Sequence, residues 1–164
     1  LIHINVNVNK SAPAYDRIRA FQATCEEYHV PYDIDLSVEG GSYHEILNVI
    51  REIFNKIEAK YPNQKKGIFL ANDTYANMFL NLIFQKYGTF PSTYEIVGFD
   101  NSPIASEAIL PITTIGQQID VIVKTAMDLL VQQMEEQKKR VPKPLGKPIH
   151  KQIAPVLIRR NTTK

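Results

Sequence analysis

The polar residues of this sequence that could do chemistry fall in short clusters, each just after a run of apolar residues. They are Asn9-Lys10-Ser11 running on to Arg17, Gly40-Gly41-Ser42-Tyr43, Asn72-Asp73-Thr74, Asp100-Asn101-Ser102, and Gln117. Arg, Asn, Asp and Gln carry planar groups that make two-pronged hydrogen bonds. Brought to one rim, they suit a ligand dense in hydroxyls, such as a sugar or a nucleoside. Taken singly, Asp73, Ser42 and Ser102 read as helix N-caps. Five clusters at five equivalent places read as a binding site.

An enzyme would need an activated nucleophile, a metal set or a phosphate loop. Neither G-x-G-x-x-G nor G-x-x-x-x-G-K-[ST] occurs. His3, His29, His44 and His150 stand apart, with no Cys or His at metal-ligand spacing, so neither a metal nor a cofactor is expected. Cys25 falls on the apolar face of its helix and reads as a small core residue. Asp73 and Asp100 form a carboxylate pair of the kind glycoside hydrolysis uses, but nothing in the sequence marks either as a proton donor. Hydrogen bonding is the simpler role. Gly40-Gly41-Ser42 could hold a phosphate on backbone N–H groups, although two glycines before a capped helix also make an ordinary tight turn. No catalytic residue is expected.

The elements that must position these clusters show in the apolar period. Leu1–Val8 alternates and reads as a strand. Pro13 opens a helix with Ala14, Ile18, Phe21, Cys25 and Tyr28 on one side. Ile34, Leu36 and Val38 make a second strand, stopped at Gly40-Gly41. Ser42 and Glu45 have capping-box spacing, and a helix follows with Ile46, Leu47, Ile50, Ile53, Phe54 and Ile57. Gly67–Ala71 reads as a short strand buried on both faces, followed by a helix from about Thr74 to Tyr87. Tyr94–Phe99, Thr113–Ile115 and Ile153–Ile158 read as further strands, with an irregular stretch before Thr113 and a long helix over Ile119–Gln137. Strand–helix alternation at this spacing predicts the α/β class: a parallel sheet with helices on both faces. In such sheets ligands bind outside the carboxyl ends of the strands, where the clusters fall.

Composition agrees with one domain of 164 residues: 44% of residues are apolar and 22% charged. No apolar run approaches the ~20 residues of a membrane helix. One cysteine allows no internal disulfide, and no leader segment precedes Leu1, as in a piece cut from a longer chain. The net charge of +2 hides an asymmetry. Ten Lys and Arg stand against seventeen acidic residues over positions 1–137, whereas the tail carries nine basic residues and no acidic one. A basic tail is one signature of nucleic-acid binding. Here Pro142, Pro144, Pro148 and Pro155, without interleaved aromatics, favour a solvated connector.

Five motifs in order carry a family resemblance. Arg17-Ile-Arg-Ala-Phe21, Gly67-Ile-Phe-Leu-Ala-Asn-Asp73, Tyr94-Glu-Ile-Val-Gly-Phe-Asp100-Asn101, Ile112-Thr-Thr-Ile-Gly-Gln117 and Leu157-Ile-Arg-Arg-Asn-Thr-Thr163 resemble the effector-binding domain of LacI/GalR transcriptional regulators. That resemblance implies a lobe of the periplasmic-binding-protein-like type I fold. It places effector contacts on Arg17, Asn72 with Asp73, Asp100 and Gln117, with Tyr43 the nearest candidate for an aromatic ring stacked on a sugar. Residues 1–118 would be mainly the C-terminal lobe, 119–150 a helix and connector returning to the N-terminal lobe, and 151–164 the last strand and tail. The implied partners are a small-molecule effector (a sugar or sugar phosphate), operator DNA through an N-terminal helix-turn-helix absent from this chain, and a second copy in a homodimer. Such a regulator is cytoplasmic and touches no membrane. A periplasmic sugar-binding protein of an ABC transporter shares the fold and is the alternative; a hydrolase on the same sheet is a third class.

Overall fold

The computed structural model describes residues 1–6, 13–139, 141 and 146–164. Val8, the Asn9-Lys10-Ser11 cluster, Pro142 and Pro144 lie outside the described residues. The elements run β1 (Ile2–Val6), α1 (Pro13–Glu27), β2 (Asp33–Val38), α2 (Tyr43–Lys60), β3 (Lys66–Leu70), α3 (Asp73–Tyr87), β4 (Tyr94–Phe99), α4 (Pro103–Glu107), β5 (Thr113–Gly116), α5 (Ile119–Gln137) and β6 (Val156–Ile158). They form one six-stranded sheet of order β2-β1-β3-β4-β5-β6, in which the pairs β1/β2, β1/β3, β3/β4 and β4/β5 are parallel. The expected architecture is therefore the observed one. A short helix, α4, occupies part of the stretch expected to be irregular, and the last strand begins at Val156 rather than Ile153.

Each face of the sheet has its own cover. On one side Ile2, Ile4, Ile68, Leu70, Tyr94 and Ile96 pack against α2 and α3 in the main core. Helix α2 earns its place through the capping box: Ser42 Oγ accepts from the Glu45 N–H, and Glu45 accepts from the Ser42 N–H at 2.7 Å. Behind that cap Ile50, Ile53, Phe54 and Ile57 recur at helical spacing and are buried, each worth about 1.5–3 kcal/mol of removed apolar surface. On the other side α1 lies over β1 and β3, with Phe21 near His3 and Phe69. Strand β3 is consequently not buried on both faces as expected. Ile68 and Leu70 are buried on the α2/α3 side, while Gly67 and Phe69 are only half covered on the α1 side. Tyr28 lies past the end of α1 and is 70% exposed.

At the amino ends of β3 and β4 a partly buried ionic cluster closes the sheet. Glu58 on α2 accepts from Lys86 Nζ at 2.5 Å and from the hydroxyls of Tyr87 and Tyr94. Lys66, 5% exposed, lies 3.7 Å from Glu58, donates to Gln64 O and sits over the Tyr94 ring. Burial works against the charged carboxyl of Glu58, but hydrogen bonds from Lys86, Tyr87 and Tyr94 outweigh it and bring its pKa from 4.5 to about 2.

The chain divides into two units, residues 1–115 with 157–164, and residues 116–156. In the first, the tail after β6 is sewn to the sheet. Thr162 Oγ1 donates to Ile96 O at 2.7 Å and accepts from the Thr113 N–H at 2.9 Å, and the Asn161 N–H donates to Pro111 O. The second contains α5, which has the expected bounds but no buried residue; Ile119, Ile122, Met127, Leu130 and Met134 are all exposed.

A carboxyl whose pKa is depressed on folding stabilises the protein above its unfolded pKa and ceases to do so as pH falls. Denaturation midpoints of the full-length protein should therefore fall between about pH 4.5 and pH 2 by an amount on the order of 2 kcal/mol that Glu58→Gln abolishes. Equal slopes for the two proteins across that window would show that Glu58 is not the responsible group.

Candidate functional site

The parallel register puts the ends of β1, β3, β4 and β5 side by side, and the residues after β3 and β4 form a rim. Its centre is Asp73, the first residue of α3 and only 1% exposed. A buried carboxylate has to be met by donors, and this one is. Oδ2 accepts from the Ser102 N–H at 2.7 Å and from Ser102 Oγ at 3.1 Å, and Oδ1 accepts from Thr114 Oγ1 at 2.6 Å. Asp73 thereby ties the β3–α3 connection to the β4–α4 turn and to β5. The cap of α3 is Asn72, whose Oδ1 accepts from the Tyr75 N–H at 2.9 Å, and Ser102 caps α4 in position but gives its hydroxyl to Asp73.

This tie holds an unusual turn. Asp100 and Asn101 have φ of +99° and +53°, a left-handed region that side chains other than glycine seldom adopt. Each such residue costs on the order of 1–3 kcal/mol unless its surroundings fix it. Here they do: the Asp100 N–H donates to Ile115 O at 2.9 Å and the Asn101 N–H to Thr114 Oγ1 at 3.3 Å. The result turns the chain sharply at the mouth of the sheet and leaves Asp100 exposed there.

Arg17 reaches the same mouth from α1. Its guanidinium carbon lies 4.3 Å from the centre of the Phe99 ring, one residue before Asp100. Its Nε is buried and finds no acceptor among the described residues. Helix α1 is held by a pair that reads in the sequence as the polar side of a strand. His3 and Asn5 are both fully buried. His3 Nδ1 is 3.0 Å from Phe69 O, which makes Nε2 the acceptor for Asn5 Nδ2 at 3.1 Å, and Asn5 Nδ2 also reaches Ala14 O at 3.4 Å in the first turn of α1. Burial, aided by the nearby Arg17 charge, lowers the His3 pKa against the opposing bond to Phe69 O, so the imidazole stays neutral.

The structure thus brings Arg17, Asn72, Asp73 and Asp100 to neighbouring strand ends. Asp73 faces inward, and its oxygens are already engaged with Ser102 and Thr114. Tyr43 stands at the β2 end of the rim, 54% exposed and edge-on to His44. Gln117 follows β5 in the chain and belongs to the second unit. Cys25 is buried, as expected of a core residue. A cavity of about 550 Å³ runs from Arg17 and Phe99 along the open sheet face beside α1 to Leu1 and Gly67. Its wall is mostly apolar away from Arg17, Thr24, Glu95 and Thr163, so the polar rim that Arg17 adjoins is the candidate site. Among the described residues no group of three His, Cys, Asp or Glu could hold a metal ion, and no helix is long and apolar enough to cross a membrane.

A family model for the periplasmic binding protein-like domain matches residues 2–163. The chain belongs to this family. Two curated relatives that it matches bear the names of transcriptional repressors. It is 26% identical over 151 residues to the HTH-type transcriptional repressor PurR of Vibrio parahaemolyticus, covering 91% of this chain and 41% of that protein. It is 28% identical over 153 residues to the arabinose metabolism transcriptional repressor of Geobacillus stearothermophilus, covering 91% and 39%. The chain therefore spans about two fifths of the length of the curated relatives it matches. Among solved structures, the lac repressor dimer bound to operator and the anti-inducer ONPF superposes with a TM-score of 0.73 at 21% identity, covering 99% of this chain and 52% of that one. The regulator CelR in complex with cellobiose gives 0.73 at 17%, covering 98% and 46%.

Two substitutions test the rim's construction. A Cβ at Gly98 would lie 2.2 Å from Asp73 Oδ1 and 3.3 Å from its Cα, so Gly98→Ala should destabilise the domain by about 2–3 kcal/mol. Asp73→Asn replaces one carboxylate oxygen by an NH2 that must face either Ser102 or Thr114, and should cost about 1–3 kcal/mol. Urea titration reads both; a loss under half a kilocalorie in either would mean that the carboxylate does not hold the turn.

Proposed function

We propose that this chain is the ligand-sensing domain of a LacI/GalR-type transcriptional regulator, and that its effector is a sugar or a related small polyhydroxylated molecule, sugar phosphates included. The observation that carries the reading is Arg17, whose buried Nε finds no acceptor among the described residues, lying over the Phe99 ring one residue before the fixed turn at Asp100. A guanidinium donates only and a carboxylate accepts only, so a pair of them sorts the hydroxyls of a sugar by direction. Charge-assisted hydrogen bonds of this kind are about twice as strong as neutral ones.

Asn72 adds its amide N–H groups, since its oxygen is occupied by the α3 cap. Gln117 enters on the motif alone, directly after β5. Tyr43 supplies an apolar ring face at the β2 end. Asp73 works from behind, as the support of the Asp100 turn. Nothing in this arrangement activates a nucleophile, and the named relatives are regulators, which supports sensing without turnover. The same relatives favour a cytoplasmic regulator over a transport receptor.

In this reading the first unit is mainly one lobe, α5 and the connector lead to a second lobe, and a helix-turn-helix elsewhere in a longer chain reads operator DNA as a homodimer. Effector binding acts through differential affinity for two arrangements of the protein, which shifts their populations and so the affinity for operator.

Calorimetric titration of the full-length protein with arabinose, ribose, lactose and cellobiose tests the proposal. One of them should bind, and both Asp100→Ala and Arg17→Ala should weaken that binding by about 10- to 100-fold, the loss of one charge-assisted hydrogen bond. Unchanged affinity in Asp100→Ala would overturn the assignment of the site.

A further inference from the structure

We propose that Arg160 is a positioning residue for the binding rim: its guanidinium, reaching back from the chain terminus, holds Asn101 and through it sets the aim of Asp100. The consequence for ligand rests on the sensing function proposed above; the positioning itself does not.

Arg160 follows β6, and its backbone is fixed before its side chain is considered. Its N–H donates to Thr113 Oγ1 at 2.9 Å, the next residue's N–H donates to Pro111 O at 2.9 Å, and Thr162 beyond it is clamped between Ile96 and Thr113. From that fixed base the guanidinium makes two bonds with two different nitrogens. NH1 donates to Ile112 O at 2.9 Å, and NH2 donates to Asn101 Oδ1 at 2.8 Å. The first bond pins the planar fork against the start of β5. The second leaves it no freedom to rotate away from Asn101.

The turn has a specific need for such a hold. The backbone N–H groups of Asp100, Asn101 and Ser102 are bound to Ile115, Thr114 and Asp73 on the inner side. The Asn101 side chain faces outward and takes its bond from Arg160. With φ at +99° and +53°, two adjacent residues sit where small changes in backbone angle are resisted only by their partners. The peptide between them carries the Asp100 side chain on one side and the Asn101 side chain on the other, so fixing the second limits the swing of the first. A lysine could make only one of the two bonds as a point charge.

The test is hydrogen–deuterium exchange on the full-length protein, read beside sugar affinity. In Arg160→Ala, residues 98–104 should exchange at least about threefold faster while α2 is unchanged, with Arg160→Lys intermediate; one hydrogen bond to a charged group is worth about that factor or more. The affinity for whichever sugar of the panel binds should fall about three- to tenfold in Arg160→Ala. Asn101→Ala should move both readouts in the same direction, and the double variant should lose clearly less than the sum of the two singles, because the bond between these side chains is common to both. Additive losses, or unaltered exchange over 98–104, would overturn the proposal. If Arg160→Ala does not fold, Asn101→Ala carries both readouts, since it leaves the bond from Arg160 to Ile112 O in place. If the wild-type protein binds none of the sugars and exchange over 98–104 still rises in Arg160→Ala, the sensing function fails and the positioning stands.

Discussion

A carboxylate shut away from water must be satisfied by the protein itself, and the way Asp73 is satisfied decides the form of this rim. Its two oxygens draw donors from two other connections, the turn after β4 and the strand β5. Those elements are far apart in sequence and could otherwise end at any height above the sheet. Meeting the buried charge brings them to one level and holds Asp100 and Asn101 in conformations they would not adopt alone. The binding geometry is thus a by-product of a desolvation problem solved once, at the start of α3. The turn at Asp100 and Asn101 inherits its position from that solution.

The opposite end of the sheet uses the same device without a ligand. Glu58 gathers Lys86, Tyr87, Tyr94 and Lys66 around one carboxyl at the amino ends of the strands. There the partners are two tyrosine hydroxyls and two lysine cations on packed elements, and none of them has a left-handed backbone. One buried acid fixes the floor of the domain and one fixes its rim. The apolar core between them is continuous across α2, α3 and one face of the sheet, so neither end moves without the other feeling it through close-packed side chains.

Much of this is legible in the sequence, and the reasons are physical. Strand and helix periods differ, so β4 and α5 show their bounds to the residue, and Ser42 with Glu45 announces the start of α2. The strand-end clusters show because parallel topology delivers them to one edge. Period alone does not say what a polar face looks at: His3 and Asn5 alternate with the apolar residues of β1, and only the structure shows them fully buried and bonded towards α1. Nor does it show that Asp73 points inward, since that depends on Ser102 and Thr114 meeting it from later in the chain. The bond from Arg160 to Asn101 joins residues 59 apart, and no local pattern records it, although the Arg159-Arg160-Asn161 segment stands out as a motif.

Gly98 has a meaning beyond its own strand. The space its missing side chain leaves is the space that Asp73 occupies, so the two positions are one unit of sequence change. A side chain cannot appear at 98 while an acid stays at 73, and an acid at 73 keeps the neighbouring strand bare at that point. Descent within this family should therefore tend to change the pair together, since a side chain at 98 beside an acid at 73 forces the turn's support to shift.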